Sequence, residues 1–158
     1  MDNNKPWLRF YEPHVPDHID YPAKTLPEIL QETSQKHSNH PAVIFKGKQL
    51  TFGELNDEVN RFAAGLQKIG VKKGDRVAIF LPNCPQFPIA YLGTLRAGAI
   101  VVPCNPLYQA YEMTRQLNDS GAKVIITLSS TYPIIRQIRS ATMTACNIVA
   151  DRICRMIG

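Results

Sequence analysis

The chain has 158 residues, 44% hydrophobic and 20% charged, which excludes a disordered polyampholyte or a fibrous protein and suffices for one buried core. Its 18 basic and 13 acidic side chains leave a formal charge of +5, of which residues 129–158 hold +3 in Arg136, Arg139, Arg152 and Arg155 against Asp151. Residues 1–128 are therefore nearly neutral, and they carry no basic face of the kind that tracks nucleic-acid phosphates.

The first 41 residues contain six of the twelve prolines, so residues 1–24 are expected to run as an extended arm. Leu26, Ile29 and Leu30 stand at i, i+3 and i+4 and predict a short amphipathic helix over 26–36. Two apolar runs, 42–45 and 49–52, flank Lys46-Gly47-Lys48 and predict a β-hairpin. Thr51 and Glu54 then form a capping box, and Leu55, Val59, Phe62, Leu66 and Ile69 repeat at helical spacing up to a stop at Gly70. Asp57 and Arg61 lie one turn apart and predict an ion pair on the outer face, the setting that also explains Glu54 and Glu58 without acid–base chemistry. Beyond Gly70 the pattern alternates: strand 75–81, helix 86–97, strand 99–104, helix 110–120, strand 123–128, and a helix from Pro133. The strands are near-continuous apolar runs. Together they predict an α/β fold, a parallel sheet with helices on both faces, preceded by the proline-rich arm and the hairpin.

In such a sheet ligands sit beyond the carboxyl ends of the strands, here 82–85, 105–108 and 129–131. These residues first read as local structure, with Asn83 capping the next helix, Pro85 opening it and Asn105-Pro106 forming a turn. Residues 93–98 (GTLRAG) match six positions of a phosphate-binding loop, but Ala99 and Ile100 replace its Lys and Ser/Thr, and the segment ends a helix where such a loop begins one. His14 and His18 have the spacing of two ligands on a helix, yet lie among prolines with no third ligand. His37 and His40 fall in a polar connector. The four cysteines have no zinc spacing and read as reduced thiols of a cytoplasmic protein. The most apolar stretch, 89–104, is interrupted by Thr94 and Arg96 and falls short of about 20 residues, so no integral membrane segment is expected. The isoleucines of the basic tail suggest a packed or surface helix. Spacing alone assigns no catalytic, cofactor-binding or metal-binding residue.

The order of several short segments is more specific: LTFGEL (50–55), VKKGDRVAI (71–79), LPNCPQF (81–87), GTLRAGA (93–99), NPLY (105–108) and LNDSGA (117–122). With them the chain resembles the amino-terminal opening of adenylate-forming acyl-CoA synthetases of the AMP-binding superfamily, most closely the long-chain fatty-acid–CoA ligases. The resemblance implies an incomplete version of that family's amino-terminal α/β domain. It implies, for the full-length family, activation of a fatty acid by ATP with Mg²⁺ and transfer to CoA. It also implies that the phosphate loop and catalytic lysine lie downstream of the matched region, so the chain is expected to be a truncated fragment, inactive alone, with the remainder of the enzyme as its partner.

Two departures from the family pattern stand out. Gln109-Ala110 follow Asn-Pro-Leu-Tyr where the family has Thr-Pro, so a helix cap worth about 1 kcal/mol is expected to be lost. The match fades after Arg139, dividing the chain into an arm (1–24), a partial AMP-binding-type domain (25–140) and a divergent basic tail (141–158) such as a frameshift would produce. A truncated sheet should expose an unpaired strand edge and apolar faces. The alternative is a non-catalytic α/β interaction module that pairs with another subunit, whereas an independent nucleotide-binding domain would need the missing phosphate loop.

Overall fold

The computed structural model describes residues 5–140 and the backbone of 147–150. The arm holds a short 3₁₀ helix, Pro6–Phe10, with no buried residue. Helix α1 (Leu26–Lys36) starts at a capping box between Thr25 and Glu28. Its inward face is Pro27, Leu30 and Ser34, while Leu26 and Ile29, expected to be buried, are exposed. The hairpin pairs β1 (Pro41–Phe45) with β2 (Lys48–Thr51). Its loop is only two residues, Lys46 and Gly47, both with positive φ (48° and 77°), the backbone twist that a tight hairpin demands.

Helix α2 (Phe52–Lys68) follows directly. The Glu54 carboxylate accepts from the Thr51 N–H at 2.8 Å, and the Thr51 hydroxyl accepts from the Glu54 N–H at 3.2 Å. Leu55, Val59 and Leu66 are buried as the periodicity requires, with Ala63 beside them, but Ile69 at the C-cap is exposed. Arg61 pairs with Glu58, not Asp57; the i,i+3 partner lies on the same flank of the helix.

Four parallel strands form the sheet: β3 (Arg76–Phe80), β4 (Ile100–Pro103), β5 (Val124–Thr127) and β6 (Asn147–Ala150), in spatial order β4-β3-β5-β6. Helices α3 (Gln86–Arg96), α4 (Ala110–Ser120) and α5 (Tyr132–Ile138) connect them. Alternation along β3 divides the core. Val77 and Ile79 face one layer with Leu66, Ala90 and Ala97. Ala78 and Phe80 face the other with Met113, Leu117, Ile125, Ile135 and Ile138. Both faces of the sheet are thus covered, α2 and α3 on one and α4 and α5 on the other. A third cluster, Leu30, Leu55, Val59 and Ile89, seals α1 and the hairpin onto α2 and α3. The strand β6 was not expected; it lies in the tail, and the β-branched Ile148 and Val149 suit its place beside β5. The rest of the tail, with Cys146 and Cys154, lies outside the described residues.

Thr94 on α3 is completely buried, and its hydroxyl has no hydrogen-bond partner among the described residues. Its helical spacing from Ala90 and Ala97 turns it toward the sheet. An unsatisfied buried hydroxyl costs about 1–3 kcal/mol. Thr94→Val should therefore raise stability by about 1 kcal/mol, read as a higher urea midpoint at unchanged slope. A lower midpoint would mean that the hydroxyl is bonded after all.

Three carboxylates are held ionised by local donors. Glu28 and Glu54 are lowered by the backbone N–H and hydroxyl of Thr25 and Thr51. Asp75, which precedes β3, is lowered by the Lys123 ammonium and then by the Lys72 N–H. A carboxylate with a depressed pKa in the fold contributes stability that is complete above its unfolded value, about 4, and disappears as pH falls through the folded one. The urea midpoint should hold from pH 7 to 5 and drop below pH 4. Asp75→Asn should flatten that drop while lowering the plateau, and an unchanged acid limb would refute the assignment.

Candidate functional site

Strands β3 and β5 are neighbours, yet the chain leaves them toward opposite faces, through α3 and through α5. Their carboxyl ends are therefore a topological switch point, the place where a doubly covered sheet opens a crevice. Sequence reasoning located the three loops but not this adjacency, because strand order is a non-local property.

After β3, residues 81–85 lead into α3 with Pro85 as N-cap and no side-chain cap; the turn is held by the Phe87 N–H donating to the Cys84 carbonyl at 2.9 Å. Asn83 is thus two residues too early to cap the helix. After β4, the Asn105 side chain accepts from the Leu107 N–H at 3.0 Å and its carbonyl from the Tyr108 N–H at 3.0 Å, the expected turn. The cap thought lost at α4 is partly rebuilt, since the Glu112 carboxylate accepts from the Gln109 N–H at 3.1 Å. After β5, the Thr127 and Thr131 hydroxyls lie 2.8 Å apart, and Thr131 Oγ1 also accepts from the Leu128 N–H at 3.3 Å. These hydroxyls are engaged in closing their own loop.

The three loops offer asparagine, serine, threonine, the Cys84 thiol and Tyr108, but no acid–base pair. Among the described residues no three His, Cys, Asp or Glu side chains converge on a metal site. His14 and His18 sit in the exposed arm, where His18 lies 3.2 Å from Asp20. His37 and His40 stack obliquely beyond α1, with ring centroids 5.3 Å apart.

Residues 93–98 close α3. Gly98 adopts φ 77°, and the Ala97 and Gly98 N–H groups donate to the Gly93 and Leu95 carbonyls, so the amide donors a phosphate needs are already spent on the helix end. The missing Cβ of Gly93 is used for packing, since one placed there would meet Phe62 Cδ1 at 2.6 Å and the Val59 carbonyl oxygen at 3.2 Å. Arg96 clips three helices together: Nη1 donates to Asn56 and Asn60 at 2.9 and 2.6 Å, and Nη2 to the Pro27 carbonyl at 2.9 Å. Partial burial lowers its pKa. It borders an open cleft of about 520 Å³ with Thr25, Glu28 and Asn60. A second cleft, of about 460 Å³, lies between α4 and α5 beside Tyr111 and Ile138. Among the described residues no helix is long and apolar enough to cross a membrane.

Residues 30–154 match the model of a family described as AMP-binding enzyme. The chain is 45% identical over 133 residues to a long-chain-fatty-acid–CoA ligase of Bacillus subtilis, a match covering 84% of this chain and 24% of that protein. It is 44% identical over 128 residues to the ligase of the same name from Salmonella typhimurium, covering 80% and 23%. Among solved structures it superposes on a fatty acyl CoA synthetase of Mycobacterium tuberculosis with a TM-score of 0.76 at 27% identity, over 82% of this chain and 27% of that one. A long-chain-fatty-acid-CoA ligase of Archaeoglobus fulgidus shares the fold with a TM-score of 0.78 at 24% identity, over 84% and 28%. The chain thus spans about a quarter of the length of the relatives it matches.

Proposed function

Because the chain belongs to the AMP-binding enzyme family, we propose that it serves long-chain fatty-acid–CoA ligation and does so only together with the remainder of such an enzyme. It matches the amino-terminal part of those ligases and spans about a quarter of their length. The parent reaction joins a fatty-acid carboxylate to the α-phosphorus of ATP, releasing pyrophosphate. The CoA thiol then attacks the acyl carbonyl and AMP leaves. That chemistry needs preorganised donors around the triphosphate and an acidic ligand for Mg²⁺.

Among the described residues no set of side chains fits those groups. In the one stretch that resembles a phosphate loop the Ala97 and Gly98 N–H groups are spent on the Gly93 and Leu95 carbonyls, and a side chain at its first glycine would meet Phe62. The contribution we assign to this chain is therefore scaffolding: a sheet whose β3/β5 crevice forms one wall of the complete enzyme. In this reading residues 1–24 are the arm, 25–140 the partial domain and 141–158 the tail that carries β6. The protein would work in the cytoplasm, in keeping with Cys84 and Cys104 being thiols.

The observation that carries the proposal is 45% identity confined to 24% of the relative. The purified chain should show no fatty-acid-dependent pyrophosphate release with ATP, Mg²⁺ and CoA. Supplying the downstream part of the Bacillus subtilis ligase in trans should restore it. Turnover by the chain alone, or no turnover by the mixture, would overturn the reading.

A further inference from the structure

Residues 1–128 are nearly neutral in sum, but the fold does not spread their charge evenly. The segments that lead into β3, β4 and β5 are 68–76, 97–100 and 119–123, and parallel pairing brings all three to the amino end of the sheet. They are joined there by the Gly74 N–H donating to the Gly98 carbonyl and the Lys123 N–H to the Arg76 carbonyl, both at 2.9 Å. Together they carry five basic side chains, Lys68, Lys72, Lys73, Arg76 and Lys123, all exposed, against two acidic ones, Asp75 and Asp119. Asp75 is already committed to Lys123 and to the Lys72 N–H. At the carboxyl end, by contrast, 81–85, 105–108 and 128–131 contain no charged residue. No window of sequence shows this gathering, because the strand order produces it.

Two of the cations are seated on the fold. The Lys73 stem lies over Gly98, where an added Cβ would stand 3.4 Å from its Cβ and Cγ. The Arg76 guanidinium lies over Gly121, with Nη2 3.3 Å from the place a Cβ would take. Gly121 is the left-handed C-cap of α4, so Arg76 also stands at the negative end of that helix dipole. Among these cations, Ile69 at the end of α2 is 44% exposed, and Ile100 at the start of β4 is 49% exposed. Ile100 is the ladder partner of Arg76, so an aliphatic side chain sits beside a cation.

We propose that the amino end of the sheet docks on an anionic lipid bilayer, with its cations against the headgroup phosphates and Ile69 and Ile100 against the acyl boundary. A nucleic acid would use the cations and leave the isoleucines without a role, which is why the pairing of the two favours lipid. Docked in this way, the chain turns its β3/β5 crevice, at the far end of the same sheet, away from the bilayer.

Flotation with vesicles tests the proposal. The full chain should bind vesicles of equal parts phosphatidylcholine and phosphatidylglycerol but not pure phosphatidylcholine, and binding should weaken as salt is raised. Each Lys or Arg near an anionic leaflet strengthens binding roughly fivefold, so Lys68→Glu with Lys72→Glu should weaken it about twentyfold or more. Lys36→Glu with Lys46→Glu makes the same change of charge on α1 and the hairpin, beside the start of α2, and should weaken it no more than about threefold. Ile69→Ser should weaken vesicle binding and leave binding to duplex DNA unchanged. Should charge reversal lower the urea midpoint, Lys68→Gln with Lys72→Gln removes the charges more mildly and should still cost about tenfold. Absence of binding to the anionic vesicles overturns the proposal. So do equal losses in the two charge-reversed pairs, which would mean that net charge alone acts. Full binding after the changes at Lys68 and Lys72 would place the contact in the basic tail, and duplex DNA bound as tightly as the vesicles would make the partner a polyanion; either result also overturns it.

Discussion

Phe80→Ala should cost about 3–5 kcal/mol, enough to leave much of the protein unfolded at room temperature. Phe80 is fully buried at the end of β3, in one cluster with Met113 on α4, Ile125 on β5 and Ile135 on α5. Truncation removes the transfer energy of the ring and leaves a cavity whose walls belong to three different elements, which cannot all close in at once. Phe80→Leu should cost much less, since most of the volume stays. Urea unfolding followed by far-UV circular dichroism separates the two. Equal midpoints for Phe80→Ala and the parent would mean that the α4/α5 layer is not packed as described.

Gly93→Val should be comparably damaging, by a different route. Helices α2 and α3 cross where Gly93 meets Phe62 and Val59, and a single Cβ there would sit 2.6 Å from the Phe62 ring. Two effects compete in Gly93→Ala. Helix propensity gains about 1 kcal/mol, while overpacking costs about 1–3 kcal/mol, and the Val59 carbonyl at 3.2 Å cannot swing away as a ring can. Alanine should therefore destabilise modestly, and valine, with two further methyls, by about 3 kcal/mol or more. Combining Gly93→Ala with Phe62→Leu should recover part of the loss, a coupling that a double-mutant cycle measures. Strict additivity would place the clash elsewhere.

What the sequence made legible was what is decided locally. The Thr51/Glu54 capping box, the hairpin and the helix–strand alternation depend on residues within a turn or two of one another, and they appear where spacing places them; the equivalent Thr25/Glu28 box was not read. Two misreadings have local causes as well: Asn83 loses the cap because Pro85 starts the turn two residues later, and in mid-α2 Arg61 pairs with Glu58 one turn away instead of Asp57. The remainder is non-local. That β3 lies between β4 and β5, and so makes the switch point, follows from its pairing with β5, where partnered residues such as Val77 and Val124 are far apart in the chain. Gly93 and Arg96 drew attention as parts of short sequence motifs and, for Arg96, as a break in an apolar stretch; their work, admitting Phe62 and clipping α1 and α2 to α3, needs partners that no window of sequence contains. A signal was present in hindsight, a glycine on the buried stripe of a helix. The strand in the tail was missed because isoleucines among arginines fit a helix as readily as a strand.

The strand order also imposes a schedule on synthesis. β3 is the first strand of the sheet to leave the ribosome, but one of its two partners, β5, begins only at Val124. At about 5–20 residues per second, the 43 residues between Phe80 and Val124 take roughly 2–9 s to appear. During that interval the Val77–Phe80 backbone has one flank bare and its most apolar side chain, Phe80, without the α5 half of its cover. The nascent chain is thus most open to wrong pairing between the synthesis of Phe80 and that of Val124, and a chaperone that shields it would act in that interval.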